Sequence, residues 1–424
     1  RDEVYVEFKS YSCKHEVEQI LKSLLEFAGY YCNIALGKEK DPELLPAFQD
    51  IRELRADVCY PMLMEIYHDY KLNRLNKEEF IEIIFLVESY VFRRAVCDIP
   101  TNSMRQTFAT FNRKLKRDRY LESVKAAFLL LRSYRRFPSD DEFKRQLQIR
   151  NLYAFNRRHY WLRKFENFGR KERVFVQDYT IEHIMPQNED LSLEWKTALG
   201  EEWERIHDQY LHTLGNLTLT GYNSEYSDRS FREKRDMEGG FRQSPLKLNE
   251  GLGSCEQWNE KAIHERASRL ADRAVNIWKA PVLNQDIIEA YREVKSETLS
   301  IYTIEVHHYL NGGLPRELYE VFRKEVLNLD ECVREEILKL YIAYKAETNF
   351  VDIVPQAKRL RLSLNIDFSE INDPRGICRN VKQIGHWGNG NVEVDLENRE
   401  DLPYILGLVR QAFERQMIEE DLVH

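Results

Sequence analysis

A histidine beside an acidic residue is the first group in the chain whose spacing suggests catalysis. Glu182 and His183 lie in the segment TIEHIMPQ, and Asn216 lies in the later segment LGNLTL. A histidine with an ordinary pKa of about 6.5 can take a proton from water near neutral pH. A carboxylate can hold a hard divalent cation, which stabilises a phosphate during in-line displacement. The pair therefore suits hydrolysis of a phosphodiester.

Amide side chains further along the chain could complete this arrangement. Asn223 would offer an oxygen to the cation from a helix that we predict to run to about Arg235. Asn216, at a Gly-Asn turn, would hold the loop that orients His183 through its other ring nitrogen. His212 precedes the same turn, where a structural or solvent-exposed role is expected. Gln187 could contact the scissile strand or cap its own segment.

The ordered set [DE]-H-x-x-P, G-N-L-x-L, Asn and Lys resembles a known nuclease domain. It is similar to the HNH (His-Me finger, ββα-metal) domain of the GmrSD-type modification-dependent restriction endonucleases, over about residues 100–280. The resemblance implies that His183 is the general base and that Asn216 organises the loop. It also implies that Glu182 and Asn223 bind Mg²⁺ or Mn²⁺.

Three other positions of this motif also have counterparts in the family. Lys234 ends a Phe-x-x-Lys motif and is expected to touch phosphate. The acidic position is Glu182, where wider HNH enzymes commonly have Asp. Asp228 stands where the family often has a second Asn, so it is either an extra oxygen ligand for the metal or a surface acid. The sequence leaves the choice between Asn223 and Asp228 open.

The family also implies an N-terminal ParB-like NTPase domain. Its DGQQR-type motif is absent from this sequence, which begins at Arg1, so no nucleotide-binding residue is assigned. We expect the chain to be a fragment whose NTPase domain lies upstream. NTP would then act only through that domain.

Basic and aromatic residues are concentrated just before the motif. Residues 111–175 contain 19 Lys and Arg against 7 Asp and Glu, a net charge of +12, whereas the whole chain carries −8. Basic side chains that neutralise phosphates supply most non-specific affinity for nucleic acid. We predict DNA contacts from Arg157, Arg158, Arg163 and Lys164, although a solvated helix surface would also explain such a stretch.

Composition excludes several other classes of protein. The 424 residues are 43% hydrophobic, and no stretch approaches the roughly 20 apolar residues that span a bilayer. The seven cysteines are scattered without a Cys-x-x-Cys pair, which argues against a zinc ribbon and a disulfide framework. We therefore expect a cytoplasmic protein with no membrane partner.

The elements that must position these residues are predicted to be mainly α with α+β. We expect a helical region at 1–110, the nuclease domain embedded in helices at 111–285, and a small α+β accessory domain at 295–424. Predicted strands include 174–176 and 214–220, and a helix is predicted over 255–280. In the last domain we predict helices at 316–328, 332–341 and 401–416, and strands near 340–344, 349–354, 360–366 and 392–395.

The accessory domain contains the segments LYIAYK (340–345), FVDIVP (350–355), DPRG (373–376) and IGHWG (384–388). With these segments it resembles a domain of unknown function that is appended to several such nucleases. Asp352 with Gln356 and Lys358 could suggest a second nuclease site, but their spacing would place them across a tight hairpin. His386 and Trp387 could stack on a base or fill the edge of a core. A target-sensing or assembly role is our hypothesis for this domain.

The sequence thus predicts a metal-dependent DNA endonuclease of a bacterial system that restricts phage or modified DNA. Two alternatives stay open: a DNA-sensing or assembly protein with a weak or degenerate site, and a nuclease that cleaves RNA. A homo-oligomer or a partner NTPase subunit is a further expectation.

Overall fold

The computed structural model describes residues 8–9, 11–12, 16–155, 157–292, 302–330, 333–346, 348–382 and 390–416. The chain divides into two compact units. One contains Arg1–Ile99, Leu115–Val124 and Phe137–Val282, and the other contains Pro100–Lys114, Lys125–Arg136 and Leu283–His424. Most of the predicted helical region and most of the predicted nuclease domain therefore lie in one unit. The domain boundaries stay predictions.

α-Helices dominate the chain. In order they span Val17–Ala35 (α1), Leu44–Glu53 (α2), Tyr60–Lys71 (α3), Lys77–Val96 (α4), Asn102–Phe111 (α5), Tyr120–Leu129 (α6), Asp140–Ile149 (α7), Arg158–Asn167 (α8), Leu193–Leu199 (α9), Trp203–Tyr210 (α10), Asn223–Tyr226 (α11), Phe231–Asp236 (α12), Glu260–Ile277 (α13), Gln285–Tyr291 (α14), Gly313–Leu327 (α15) and Leu402–Arg415 (α16). Capping side chains mark several starts: Asn76 and Glu79 form a capping box at α4, and Asn259 caps α13. Among the described residues, no helix is both long and apolar enough to cross a bilayer.

Two antiparallel sheets complete the fold. The strands span Thr180–His183 (β1), Leu217–Thr220 (β2), Arg334–Ile337 (β3), Ile342–Lys345 (β4), Asn349–Pro355 (β5), Leu360–Leu364 (β6), Arg379–Asn380 (β7) and Val392–Leu396 (β8). β1 pairs with β2, with Glu182 opposite Thr218 and His183 opposite Leu217. The second sheet has the order β3-β4-β5-β6-β8-β7. The prediction of a mainly α chain with α+β structure is confirmed.

Helix α13 supports the small sheet directly. A Cβ atom at Gly215 would lie 2.5 Å from the Ile263 carbonyl oxygen, so the start of β2 can approach α13 this closely only without a side chain. Arg266, buried on α13, donates hydrogen bonds of 2.8 to 3.0 Å to the carbonyls of Leu214, Gly215 and Leu217. The helix therefore fixes the backbone that leads into β2.

The helix predicted from Asn223 to about Arg235 is broken in the structure. It consists of α11 and α12, separated by Ser227, whose φ of 40° leaves the helical region. A new capping box between Ser230 and Glu233 then starts α12. The predicted strand at 174–176 is also wrong, because a 3-10 turn spans Val176–Asp178.

Most elements predicted for the accessory domain are confirmed. β4, β5, β6, β8, α15 and α16 lie close to their predicted positions, and their apolar side chains share one core. The helix predicted at 332–341 is wrong, since β3 occupies Arg334–Ile337. Its Glu335 accepts hydrogen bonds from the Tyr319 and Tyr344 hydroxyl groups, so a charged edge strand is held by partners distant in the sequence.

Candidate active site

His183 ends strand β1 and lies against a second histidine. Its Nε2 is 3.0 Å from Nδ1 of His212. The ring of Tyr153 meets His183 edge-on, with ring centres 4.6 Å apart, and stacks on His212 at 5.2 Å with planes only 11° apart. The structure thus brings together a histidine pair held by an aromatic ring. His212 was expected to be structural or exposed, and its contact with His183 differs from that expectation.

The surroundings of His183 keep its ring neutral. Burial, together with the neighbouring His212 and Lys234, lowers the pKa of His183 to about 3. A neutral imidazole has one N–H and one lone pair. Among the described residues, no side chain or backbone group hydrogen-bonds Nδ1 of His183. In the tautomer in which Nε2 donates to His212, Nδ1 is the nitrogen that can receive a proton.

Asn216 clamps both segments that carry these histidines. Its Nδ2 donates to the carbonyls of Met185 and Leu211, each at 3.0 Å. Its Oδ1 accepts from the Met185 backbone at 2.7 Å and from the Trp258 indole at 3.2 Å. Met185 follows His183 by two residues, and Leu211 directly precedes His212. The fully buried amide therefore sets the distance between the two loops.

Glu182 points into a buried ion pair. Its carboxylate lies 2.6 Å from the ammonium of Lys234, which also donates to the carbonyls of His183 at 3.1 Å and Ile184 at 3.2 Å. The Glu182 side chain is 5% exposed and that of Lys234 is 0% exposed. Successive residues of a strand face opposite ways, so Glu182 and His183 reach different partners.

Burial acts on both members of this ion pair. It raises the pKa of Glu182 to about 7, against the opposing charge of Lys234. It also lowers the pKa of Lys234, although Glu182 acts in the opposite direction. Each group would be costly to bury charged without the other. The pair therefore fastens α12 to the end of β1.

The residues predicted to bind a divalent cation do not form a binding site in this arrangement. The ammonium of Lys234 lies on Oε1 of Glu182 and on the carbonyl oxygens of His183 and Ile184. Asn223 and Asp228 are exposed on either side of the helix break, and Asp228 accepts a hydrogen bond from Asn188 at 3.0 Å. Within the described ranges, no cluster of three or more His, Cys, Asp or Glu could hold a metal. The donor set thus does not fit Mg²⁺ or Mn²⁺, and Lys234 would have to leave Glu182 to make room.

Two of the five cations predicted to contact DNA lie in a partly buried charge cluster. Arg163 pairs with Asp50 at 2.6 Å and Glu53 at 2.5 Å, and Lys164 pairs with Asp50 at 2.8 Å and Glu88 at 2.7 Å. Their side chains are only 16% and 15% exposed. This placement argues against phosphate contacts by Arg163 and Lys164, because breaking these pairs would leave buried carboxylates uncompensated.

The other three predicted cations have different surroundings. Lys234 is fully buried and cannot reach a phosphate without leaving Glu182. Arg158 donates to the Tyr153 carbonyl at 3.1 Å, and its guanidinium lies 4.9 Å from the centre of the Tyr153 ring. Arg157 lines a cavity beside the same segment. Arg157 and Arg158 thus stay candidates for DNA contact.

The second nuclease motif considered for the accessory domain is not assembled. Asp352 is buried within β5 and accepts a hydrogen bond from Asn349 at 2.8 Å. Gln356 lies beyond the end of β5, where it accepts from Arg359 at 2.8 Å. The two residues therefore serve different parts of the hairpin. His386 and Trp387 lie outside the described residues.

Histidine pairing is the feature that sequence reasoning missed. His183 and His212 are 29 positions apart, and neither lies in a motif that predicts the other. The sequence offers one indirect indication: His183 is the last residue of β1, and His212 lies five residues before β2, the strand that pairs with β1. Lys234 was found by its motif, but its partner Glu182 was assigned to a metal.

Comparison with known proteins agrees with the motif. Residues 137–273 match the family described as GmrSD restriction endonucleases, C-terminal domain, and residues 306–416 match a domain of unknown function (DUF5655). An uncharacterized protein of Haemophilus influenzae is 32% identical over 167 residues, which cover 35% of this chain and 55% of the relative. The chain thus spans about half the length of this relative. No solved structure gives a significant match.

Proposed function

We propose that the chain, which carries a GmrSD C-terminal domain at residues 137–273, is an HNH-type DNA endonuclease in which His183 activates water. The observation that carries the proposal is the neutral His183 at the end of β1, held by His212 and by the loops that Asn216 joins. The order of elements also agrees with a ββα arrangement: β1 is followed by a long insertion, then by β2, and then by helices α11 and α12.

We infer one role for each ring nitrogen of His183. In the tautomer in which its Nε2–H donates to Nδ1 of His212, the lone pair of His183 lies on Nδ1, where a water molecule can lose its proton. The resulting hydroxide attacks phosphorus as the P–O bond to the leaving 3′ oxygen breaks. The proton from the attacking water stays on Nδ1, and the leaving oxygen takes a proton from solvent. A bound phosphate brings negative charge to the site, which raises the pKa of His183 from its low value and strengthens it as a base.

His212 acts as a positioning residue in this mechanism. It holds the tautomer of His183 and, together with Tyr153, the orientation of its ring. We propose the same kind of role for Asn216, through the backbone of both loops. Neither residue transfers the proton from water.

The remaining parts of the proposal come from the family. GmrSD enzymes are restriction endonucleases, so we propose phage or modified DNA as substrate, a bacterial cytoplasmic setting, and cooperation with an NTPase domain or subunit. Endonucleases of this kind generally use divalent cations. We propose a requirement for Mg²⁺ or Mn²⁺ on this ground alone. A cation could use Glu182 only after Lys234 has left it, and no step is derived through the ion.

A specific observation supports a second candidate function. Lys234 closes Glu182 off from a cation, as would suit a DNA-sensing or assembly protein with a weak nuclease site. The two candidates differ in one outcome, since both would bind DNA but only the first would cut it.

Plasmid cleavage tests the proposal. Wild type and His183→Ala are incubated with supercoiled plasmid, modified and unmodified, in Mg²⁺, Mn²⁺ or EDTA, beside an RNA of matched sequence. His264→Ala is the matched control, because His264 is exposed and contacts Tyr210 away from the pair. We expect DNA cleavage by wild type and the control, and none by His183→Ala. Equal cleavage by all three would refute the role of His183, and binding without cleavage would favour the second candidate.

A further inference from the structure

A cavity in the first unit collects three arginines. Its volume is about 550 Å³, and the residues that line it are Arg55, Arg150, Asn151, Ala154, Phe155 and Arg157. Arg55 follows helix α2, whereas the other five residues belong to the segment between α7 and α8. Cations from two distant parts of the sequence thus face one space.

The charge balance of this cavity favours an anion. Arg150 pairs with Asp98 at 2.9 Å, but Asp98 is 80% exposed, and none of the described residues that line the cavity carries a carboxylate. Exposed ion pairs contribute little stability and exchange readily with other partners. Guanidinium groups offer paired N–H donors that match the oxygen atoms of a phosphate. A phosphate-bearing ligand is therefore the chemical class that this lining recognises.

The segment that lines the cavity also touches the histidine pair. The Leu152 amide donates to the His212 carbonyl at 2.9 Å, and Tyr153 packs on both imidazole rings. Arg157 lies four residues after Tyr153. Because an extended chain spans at most about 3.6 Å per residue, the two Cα atoms are no more than about 14 Å apart. With a rise of about 3.4 Å per nucleotide in one strand, that is roughly four nucleotides.

We propose that Arg55, Arg150 and Arg157 bind a backbone phosphate of the DNA strand within a few nucleotides of the phosphodiester at His183. This inference rests on the proposed function and adds to it the place where the strand is held. A free nucleotide carries the same phosphate chemistry, so the experiment must separate the two sources.

Binding and cleavage by the full chain test this site. Arg55→Ala and Arg150→Ala are compared with wild type by fluorescence anisotropy of a labelled duplex, over a series of salt concentrations. Arg145→Ala is the matched control, because this substitution removes the same charge. Arg145 is exposed on α7 and is not among the residues that line the cavity. Loss of one charged hydrogen bond should weaken DNA binding about tenfold to a hundredfold. The slope of log K against log salt should also fall by about 0.9 per contact.

The binding results decide the inference. Selective weakening in the cavity variants, with Arg55→Lys closer to wild type and ATP unable to compete with DNA, supports a backbone phosphate. Any of three results overturns the inference: Arg145→Ala weakens binding as much as the cavity variants do, the cavity variants have no effect, or ATP displaces the duplex at the concentrations at which ATP itself binds the cavity. Cleavage separates the two proposals: if His183→Ala is inactive while the cavity variants bind DNA normally, only the cavity inference fails. If His183→Ala still cleaves, the proposed function fails whatever the cavity binds.

Discussion

Replacing Lys234 by methionine should destabilise the protein and leave the DNA affinity of the folded protein unchanged. The substitution keeps most of the side-chain volume but removes the ammonium that pairs with Glu182 and binds two backbone carbonyls. Removing one partner of a buried ion pair typically costs about 3–5 kcal/mol, since the remaining charge is left uncompensated. We expect a loss of unfolding free energy in this range.

The pH dependence of this loss has a definite sign. The pKa of Glu182 rises from an ordinary 4.5 to about 7 in the folded chain, because burial disfavours its charged form. Its contribution to stability is therefore full below pH 4.5 and is lost as the pH rises to about 7. At about 1.36 kcal/mol per pKa unit, this loss amounts to about 3 kcal/mol. Without Lys234 the pKa of Glu182 should rise further, so the variant should keep losing stability above pH 7.

Urea unfolding at pH 5.5, 7 and 8.5 measures both effects. Lys261→Met is the matched control, since the Lys261 side chain is 84% exposed and its ion pair with Glu265 is long, at 3.8 Å. The double variant Glu182→Gln with Lys234→Met should recover part of the stability and lose the extra pH dependence. A Lys234→Met variant as stable as the Lys261→Met control at all three values, but with weaker DNA binding, would refute the buried-pair interpretation and restore a phosphate contact.

Three further predictions concern the site and its supports. Asn216→Ala should lower stability by about 2–4 kcal/mol, because two buried donors lose their acceptor, as measured by urea unfolding; an unchanged midpoint would contradict the clamp. His212→Ala should slow single-turnover cleavage at saturating DNA without changing DNA affinity, whereas His212→Asn, which can still accept from Nε2 of His183, should keep more activity; a change in affinity alone would contradict the positioning role. Arg163→Ala should reduce thermal stability by removing one of the two cations that pair with the buried Asp50, and should leave the salt dependence of DNA binding as it is; a lower salt slope with normal stability would return Arg163 to the DNA-binding surface.

Local patterns were sufficient to predict much of the fold. The alternating apolar residues of Leu217–Thr220 and the strands β4, β5, β6 and β8 carry their own periodicity, so they could be read without tertiary information. The strand β3 could not, because its glutamates suit a helix surface equally well. Only hydroxyl partners from α15 and β4 explain why Glu335 lies on a strand.

The candidate site was predictable in its motif residues and not in their partners. The order of His183 and Asn216 suggests a loop clamp, and the side-chain geometry shows one. Long-range pairing decides the rest: Lys234 reaches Glu182 across 52 positions, and His212 reaches His183 across 29. The positive charge of residues 111–175 was misleading as a guide to DNA contacts for the same reason. Arg163 neutralises Asp50 and Glu53 of α2 instead of facing solvent.

Single-turnover cleavage of an end-labelled duplex tests the central claim most directly. Wild type and His183→Ala are compared at saturating protein, in Mg²⁺ or Mn²⁺, after anisotropy has shown that both bind the duplex. The account predicts equal affinity and a cleavage rate for His183→Ala at least about 100-fold below wild type, in line with loss of a general base. A His183→Ala rate within a few-fold of wild type would contradict the assignment of His183 as the residue that activates water.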